Sequence, residues 1–143
     1  MASILKVDEL QGIVSAGDIT VTSEGGSATQ SLQQGLAKVW VSVDQDTTGH
    51  PIYDSINISS STDAGTGRTR LPFVNSFNND DYADVIAGTA QNESAFAGGT
   101  FSVTQYGGSE QKTSSQITTD CRNNAGTDND NHDTKLIIMG DLA

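Results

Sequence analysis

The side chains of this chain that could do chemistry lie mainly in short polar segments that are typical of turns. Asp128, Asp130 and Asp133 offer the hard oxygen ligands that Ca²⁺ prefers. The segment around them lacks the glycine position and the distal glutamate of an EF-hand loop, so we expect a solvated hairpin loop there. The acidic segments 44–46 and 78–81 are interpreted in the same way, and the chain is predicted to bind no metal and no cofactor.

Histidine and cysteine, which often carry protons or act as nucleophiles, form no reactive set in the sequence. His50 and His132 stand in different turn segments, and an acid–base dyad would need both turns at one end of the fold, so we expect two water-exposed histidines. Cys121 is the single cysteine, and the alternation in 117–121 predicts a small buried side chain. The sequence contains no nucleophile elbow, P-loop or HExxH motif, so we expect no enzymatic activity.

Charge and hydrophobicity exclude several classes of partner. The 143 residues carry a formal net charge of −11 and their few basic residues are scattered, which argues against nucleic acid as a partner. No apolar run approaches the roughly 20 residues of a membrane-spanning helix, and the first residues lack the pattern of a secretory signal. We therefore expect synthesis in a cytoplasm and no membrane insertion. Only 34% of the residues are hydrophobic, which favours short strands around a thin core that neighbouring subunits help to stabilise.

Short apolar segments separated by polar turns predict an all-β fold, an antiparallel β-sandwich of about seven strands. The segment 63–67 reads as a glycine-rich turn, and Pro72 places the strand that contains it at a sheet edge or at a bulge. The expected strands are Lys38–Val43, Ile52–Ser59, Arg68–Val74, Tyr82–Ala90, Thr100–Tyr106, Ser115–Cys121 and Lys135–Gly140.

Alternation within these strands predicts which side chains form the core. Trp40 falls on the opposite face from the valines beside it, so its indole is available to seal a contact with the N-terminal segment or with another subunit. The predicted core comprises Val39, Val41, Val43, Ile56, Ile58, Phe73, Val85, Phe101, Val103, Ile117 and Ile137.

Residues 1–36 lack the uniform β-strand pattern of residues 37–143, the β-domain. They are interpreted as a lead-in for docking or oligomerisation. A short strand is expected at 18–22. Leu32 and Leu36 are spaced i, i+4, which favours one or two helical turns within 27–35. A helix of that length is not stable alone, so it must pack on something.

Three segments of the chain resemble a recurrent type of bacteriophage protein. They are Met1–Gly12, Ala28–Trp40 and Asp54–Gly67, and the run from Phe77 to Tyr82 and the closing Gly140–Ala143 also fit. The chain is similar in these places to small fibre-like or decoration proteins in the virions of tailed, often marine, bacteriophages. It departs from them at 68–72, where an Arg- and Pro-containing segment replaces a more aromatic strand.

The resemblance implies a non-enzymatic virion structural protein, assembled as a homotrimer and in contact with other virion proteins. A tail fibre or tip-like appendage for host adsorption is the first expectation, and a capsid decoration protein is the alternative. We expect docking or oligomerisation through Ile4, Leu5, Val7, Leu32, Leu36 and Trp40. The candidate contacts with a receptor, for which a host surface glycan is one candidate, are Asn78, Asn79, Asp80, Asp81, Gln91, Asn92, Asn123, Asn124, Asp128 and Asp130.

A carbohydrate-binding module unrelated to virions is the alternative from a different class. Such modules stack sugars on exposed aromatic side chains, and this chain offers Trp40, Tyr53, Tyr82 and Tyr106. These aromatic residues are few and stand singly, which favours the virion hypothesis. A hydrolase is less favoured still, because no nucleophile and base are assembled in the sequence.

Overall fold

The computed structural model describes residues 5–13, 19–23, 25–89, 112–122 and 126–143. The chain divides into two compact units, residues 1–36 and residues 37–143. Within the described ranges every regular element is a β-strand, and all strand pairs are antiparallel, so the predicted all-β class is confirmed. The strands are β1 (Thr20–Thr22), β2 (Thr29–Ser31), β3 (Val39–Val43), β4 (Ile52–Ile56), β5 (Thr62–Gly65), β6 (Arg68–Pro72), β7 (Ala83–Thr89), β8 (Gln116–Asp120) and β9 (Asp133–Met139).

The first unit contains a small hairpin of β1 and β2 in which Thr20 pairs with Ser31. The helix predicted within 27–35 is wrong, because β2 uses part of that segment to pair with β1 and residues 32–35 form turns. The amide of Leu32 donates to the carbonyl of Ile19 at 2.8 Å, which extends the hairpin. A short helix without tertiary support would have been less stable than this paired ladder.

The second unit consists of two sheets, with strand orders β4-β3-β9-β7 and β5-β6-β8. The segment 63–67, predicted as a turn, is partly strand: β5 ends at Gly65, and Thr66 and Gly67 turn the chain into β6. Of the two alternatives predicted for the strand of Pro72, the sheet edge is wrong, because β6 lies between β5 and β8. A bulge does occur in the β5–β6 pair, but it lies between Asp63 and Gly65 and not at Pro72. Pro72 is tolerated because it is the last residue of β6, beyond the stretch that pairs with β5.

The core lies between these two sheets. Valines of β3 and the side chains of Leu136 and Ile138 in β9 pack against Leu71 and Ile117 of the smaller sheet. An aromatic cluster closes one part of this core, with the rings of Phe73 and Phe77 5.2 Å apart and Tyr82 beside both.

Several core predictions are confirmed and three are wrong. Val39, Val41, Val43, Phe73 and Ile117 are buried, and Ile58 is half-buried against the core. Phe101 and Val103 lie outside the described residues. The three wrong predictions are Ile56, Val85 and Ile137, whose side chains face solvent.

In β7 and β9, pairing decides which face of the strand is buried, because both strands carry adjacent apolar residues. In β9 the pairs Val39–Ile138 and Val41–Leu136 turn Leu136 and Ile138 inward and leave Ile137 outside. A strand with apolar side chains on both faces gives no alternation from which its buried face can be predicted.

Candidate functional site

His50 lies in the interior and not in water, which corrects the prediction made for it. The residue is 2% exposed, and its Nδ1 lies 2.7 Å from Thr69 Oγ1. On the other side of the ring, Nε2 lies 3.7 Å from Asp63 Oδ1. His132, in contrast, is exposed as predicted. The structure therefore aligns a hydroxyl, an imidazole and a carboxylate, the residue types of a hydrolase triad.

This alignment is not suited to catalysis, because the hydroxyl is sealed from substrate. Thr69 is completely buried, and its hydroxyl also accepts a hydrogen bond from Gln45 Nε2 at 2.9 Å. A nucleophile must reach the carbon that it attacks, which Thr69 in this position does not. The His50–Thr69 contact instead satisfies polar groups inside the fold.

Gln45 is the centre of this buried polar cluster. Its Nε2 donates to Thr69 and lies 3.3 Å from Thr119 Oγ1, both in the smaller sheet. Its Oε1 accepts from Thr134 Oγ1 of β9, in the larger sheet. The amide thus links the two sheets through side chains that would otherwise be costly to bury.

Cys121 belongs to the same interior and is not activated. Burial raises the pKa of its thiol, and this outweighs hydrogen bonding from Thr134 and neighbouring amides, which lowers the pKa. The Sγ atom lies 3.8 Å from Thr134 Oγ1, and the residue is completely buried, as the sequence predicted. A neutral, inaccessible thiol is a poor nucleophile and a poor metal ligand.

The three aspartates that offered cation ligands each contact a different partner. Asp128 lies 3.2 Å from the Nε of Arg122, and Asp130 Oδ1 accepts from the amide of Gly67 at 2.6 Å. Asp133 accepts from Ser42 and contacts Lys135. In the part of the chain that the structure describes, no group of three or more His, Cys, Asp or Glu is placed to hold a metal ion.

The feature most suited to binding lies on the solvent face of the larger sheet. In register, Ile56 of β4 stands opposite Trp40 of β3, and Trp40 stands opposite Ile137 of β9. Ile137 in turn pairs with Val85 of β7. These four side chains, which we call the apolar row, cross all four strands in one line. Their exposed fractions are 48% for Ile56, 37% for Trp40, 50% for Ile137 and 68% for Val85.

The apolar row has a polar border that contains Asp54, Ser42 and Lys135 on one side, and Lys38, Met139 and Ala83 border it on the other. The next outward-facing positions along the strands are Asp54, Ser42, Lys135 and Ala87, again in register. On the opposite side, Met139 pairs with Ala83 and is 41% exposed. A depression of about 220 Å³ lies between the row and its polar border, lined in part by Trp40, Ser42 and Lys135.

The residues predicted for docking divide between the two units. In the first unit, Leu5, Val7 and Leu36 are exposed and Leu32 is half-buried, while Ile4 lies outside the described residues. In the second unit, Trp40 lies in the apolar row together with Ile56, Val85 and Ile137, which the sequence had predicted to be in the core. The sequence signals were the runs 85–86 for Val85 and 136–139 for Ile137, which are apolar on both faces of their strands.

Among the described residues, the predicted receptor contacts do not form one surface. Asn78, Asn79, Asp80 and Asp81 form an exposed loop next to the end of β9, where the Asn78 amide donates to the Asp141 carbonyl at 2.9 Å. Half-buried Asp128 and Asp130 precede the other end of β9, a strand of seven residues that is roughly 20 Å long. Gln91, Asn92, Asn123 and Asn124 lie outside the described residues.

The tyrosines that the structure describes form no shared platform with Trp40 for a sugar. Tyr82 is buried, and burial raises the pKa of its phenol well above its ordinary value, with Asp84 and Asp80 adding to the shift. Tyr53 is exposed and donates to Asp44 Oδ2 at 3.0 Å. Tyr106 lies outside the described residues, which leaves Trp40 as the exposed indole.

Comparison of the chain with family models, with curated proteins and with solved structures gave no match. None of the residues whose structure is described belongs to a helix that is long and apolar enough to cross a membrane.

Proposed function

We propose that this chain is a non-enzymatic structural protein of a tailed bacteriophage virion, a tail fibre or tip-like appendage that assembles as a homotrimer and takes part in host adsorption. The observation that carries the proposal is the apolar row, an exposed line of large apolar side chains on a chain with a net charge of −11. Exposed apolar patches of this kind are typical of protein contact sites. The resemblance of three segments to phage fibre-like proteins supplies the virion context.

The non-enzymatic part of this proposal rests on the environment of the side chains that could take part in catalysis. His50, Thr69 and Cys121 are buried and engaged in contacts within the core. The acidic side chains at 128–133 contact partners within their own chain. Such an interior is suited to holding a fold together.

Trimer formation would bury apolar side chains that remain exposed in a single copy. Leu5, Val7 and Leu36 of the lead-in and the apolar row of the β-domain are two such surfaces. Closed cyclic symmetry buries the same surface in every copy, which favours a homo-oligomer. The exposed loop 78–81 would then be available for a receptor on the host.

Labelling of intact virions tests this function. Gold-labelled antibodies raised against residues 37–143 should bind at the tail of the phage that encodes the chain. Label spread over the head would instead support the capsid decoration alternative. Purified virions of that phage that carry no label, with the chain also missing from their protein profile, would overturn the virion proposal.

Adsorption assays test the proposed role of the loop 78–81. Replacing Asn78, Asp80 and Asp81 together by alanine should lower the adsorption rate if this loop contacts the receptor. The matched control replaces exposed Ser59 and Ser60, which lie outside the loop, by alanine. Virions that incorporate the loop variant and adsorb as fast as the wild type would remove this loop from the proposal.

A carbohydrate-binding module is the second candidate, and one observation favours it. Trp40 is exposed beside a depression that Ser42 and Lys135 also line, which offers a stacking surface next to polar groups. Glycan-array binding by the isolated protein, lost in Trp40→Ala, would support this function. Binding to no glycan on the array would exclude it.

A further inference from the structure

We infer that the apolar row is the contact between copies of this chain, with the rows of three copies facing a common threefold axis. The inference rests on the proposed trimer and names the surface that forms it. It assigns the principal contact to Ile56, Trp40, Ile137 and Val85, of which only Trp40 was expected to take part in docking.

The size of the surface is the first argument. The apolar row crosses four strands, which is about 14 Å at the usual strand spacing. With Met139 it presents exposed apolar area on the order of 400 Å², the range in which a patch on a soluble protein is commonly functional. A standard protein interface buries about 800 Å² on each partner, of which somewhat more than half is apolar. The row therefore supplies most of the apolar part of one such interface.

The shape of the surface is the second argument. The row lies on one face of a four-stranded sheet, with one depression next to Trp40 and a second at its Ile56 end. Sheets bury flat faces by packing against other sheets, about 10 Å apart, with their side chains interdigitated. Another copy of the chain provides a sheet face with the same row and the same spacing.

The charges of the polar border are complementary between copies in a cyclic arrangement. Along the polar border, Asp54 lies on β4 at one edge of the sheet, and Lys135 lies on β9 toward the other edge. A cyclic arrangement brings the β4 side of one copy next to the β9–β7 side of the next copy. Asp54 of each copy then approaches Lys135 of its neighbour, and Ile56 approaches Val85.

The test compares two exposed valines that lie on strands of different units. Light scattering on the full-length wild-type chain at micromolar concentration should give the mass of three subunits. Val85→Asp places an unpaired carboxylate in the proposed contact and should raise the dissociation constant at least about a hundredfold, so that the mass falls to one subunit. Val21→Asp introduces the same charge at a valine of β1 that is 51% exposed and should leave the mass unchanged.

Trp40 provides a second measurement at the contact itself, because it is the one tryptophan of the chain. Its fluorescence should shift to longer wavelength and become more accessible to acrylamide in Val85→Asp than in the wild type. An unchanged circular dichroism spectrum would show that the variant is folded.

Four outcomes would overturn the inference: a wild-type mass other than that of three subunits, a Val85→Asp variant that keeps the wild-type mass, loss of assembly in both variants, or loss in Val21→Asp alone. The last outcome would leave the proposed trimer intact and move its contact to the lead-in. A wild-type monomer would still allow the virion location, which the labelling of particles tests separately.

Discussion

Thr134 and Gln45 are hydrogen-bonded in the interior of the β-domain, with Thr134 Oγ1 donating to Gln45 Oε1 at 2.8 Å. The other end of the same amide donates to Thr69 Oγ1 at 2.9 Å. Because Thr134 belongs to the larger sheet and Thr69 to the smaller one, a single side chain joins both layers. A buried amide that is bonded at both ends favours one relative position of the sheets over others.

Removing this link should destabilise the fold clearly. In Gln45→Leu the hydroxyls of Thr69 and Thr134 lose a buried partner, so we expect the free energy of unfolding to fall by about 2–4 kcal/mol. Urea denaturation followed by circular dichroism measures this change. The control Gln34→Leu lies at an exposed position and should change stability by less than about 0.5 kcal/mol. Equal stabilities of the two variants would show that the Gln45 network contributes little.

Gly67 should be the glycine least tolerant of substitution among those with positive φ. Its φ is +74°, and an added Cβ would lie 2.4 Å from the carbonyl oxygen of Cys121 and 2.9 Å from the amide of Asn129. Gly126 has a φ of +76° and open space around it, so Gly126→Ala measures the backbone cost alone, about 1–2 kcal/mol. Gly67→Ala should cost about 1–3 kcal/mol more, because backbone atoms must move. Equal melting temperatures of the two variants would contradict this.

The fold class could be predicted from the sequence, whereas the orientation of several strands could not. In β3 the valines alternate with Trp40 and Ser42, so one strand alone shows its buried face. In β9, Leu136, Ile137 and Ile138 are all apolar, and only the register with β3 decides which of them faces solvent. The apolar row was hidden for the same reason, because a line across four strands depends on three separate registers.

The buried position of His50 could not be predicted either, because its partners are distant in sequence. The histidine follows a turn in which its amide donates to the carbonyl of Thr47 at 2.9 Å, a local pattern typical of exposed loops. Thr69 and Asp63 reach the ring because β5 and β6 pair as a hairpin. Long-range pairing therefore decided the environment of this side chain.

Acid should destabilise the β-domain through Asp44. Burial raises the pKa of this carboxyl, whereas hydrogen bonds from Thr47, Tyr53 and the amides of Asp46 and Thr47 lower it. The hydrogen bonds together outweigh burial, so the net pKa lies below 3.8. The folded state thus favours the charged form, and its contribution to stability is complete above pH 3.8 and is lost as the pH falls through the lowered pKa.

Asp44→Asn checks this pH dependence. The variant should be less stable than the wild type at neutral pH, because the amide replaces a carboxylate that accepts several hydrogen bonds. The difference between the two proteins should shrink as the pH is lowered below 3.8, in melting temperatures measured across that range. Asp81→Asn, at an exposed position, should melt close to the wild type at neutral pH. A gap for Asp44→Asn that widens in acid would contradict the assigned sign.

The thiol of Cys121 should react only when the fold opens. Burial raises its pKa above 9.0, and hydrogen bonding to Thr134 offsets this only in part, so at neutral pH the folded protein holds a neutral, inaccessible thiol. Ellman's reagent should therefore label the native protein slowly, at a rate that increases with urea, and label the unfolded chain at once. Ser60→Cys in a Cys121→Ala background places a thiol at an exposed position and should react immediately.

The same thiol should make stability depend on pH in alkali. Because the thiol of the unfolded chain ionises at a lower pH than that of the folded protein, stability should decrease as the pH rises above 9.0, and this decrease should be smaller in Cys121→Ala. Rapid stoichiometric labelling of the folded wild type would show that Cys121 is accessible and that its neighbours do not seal it.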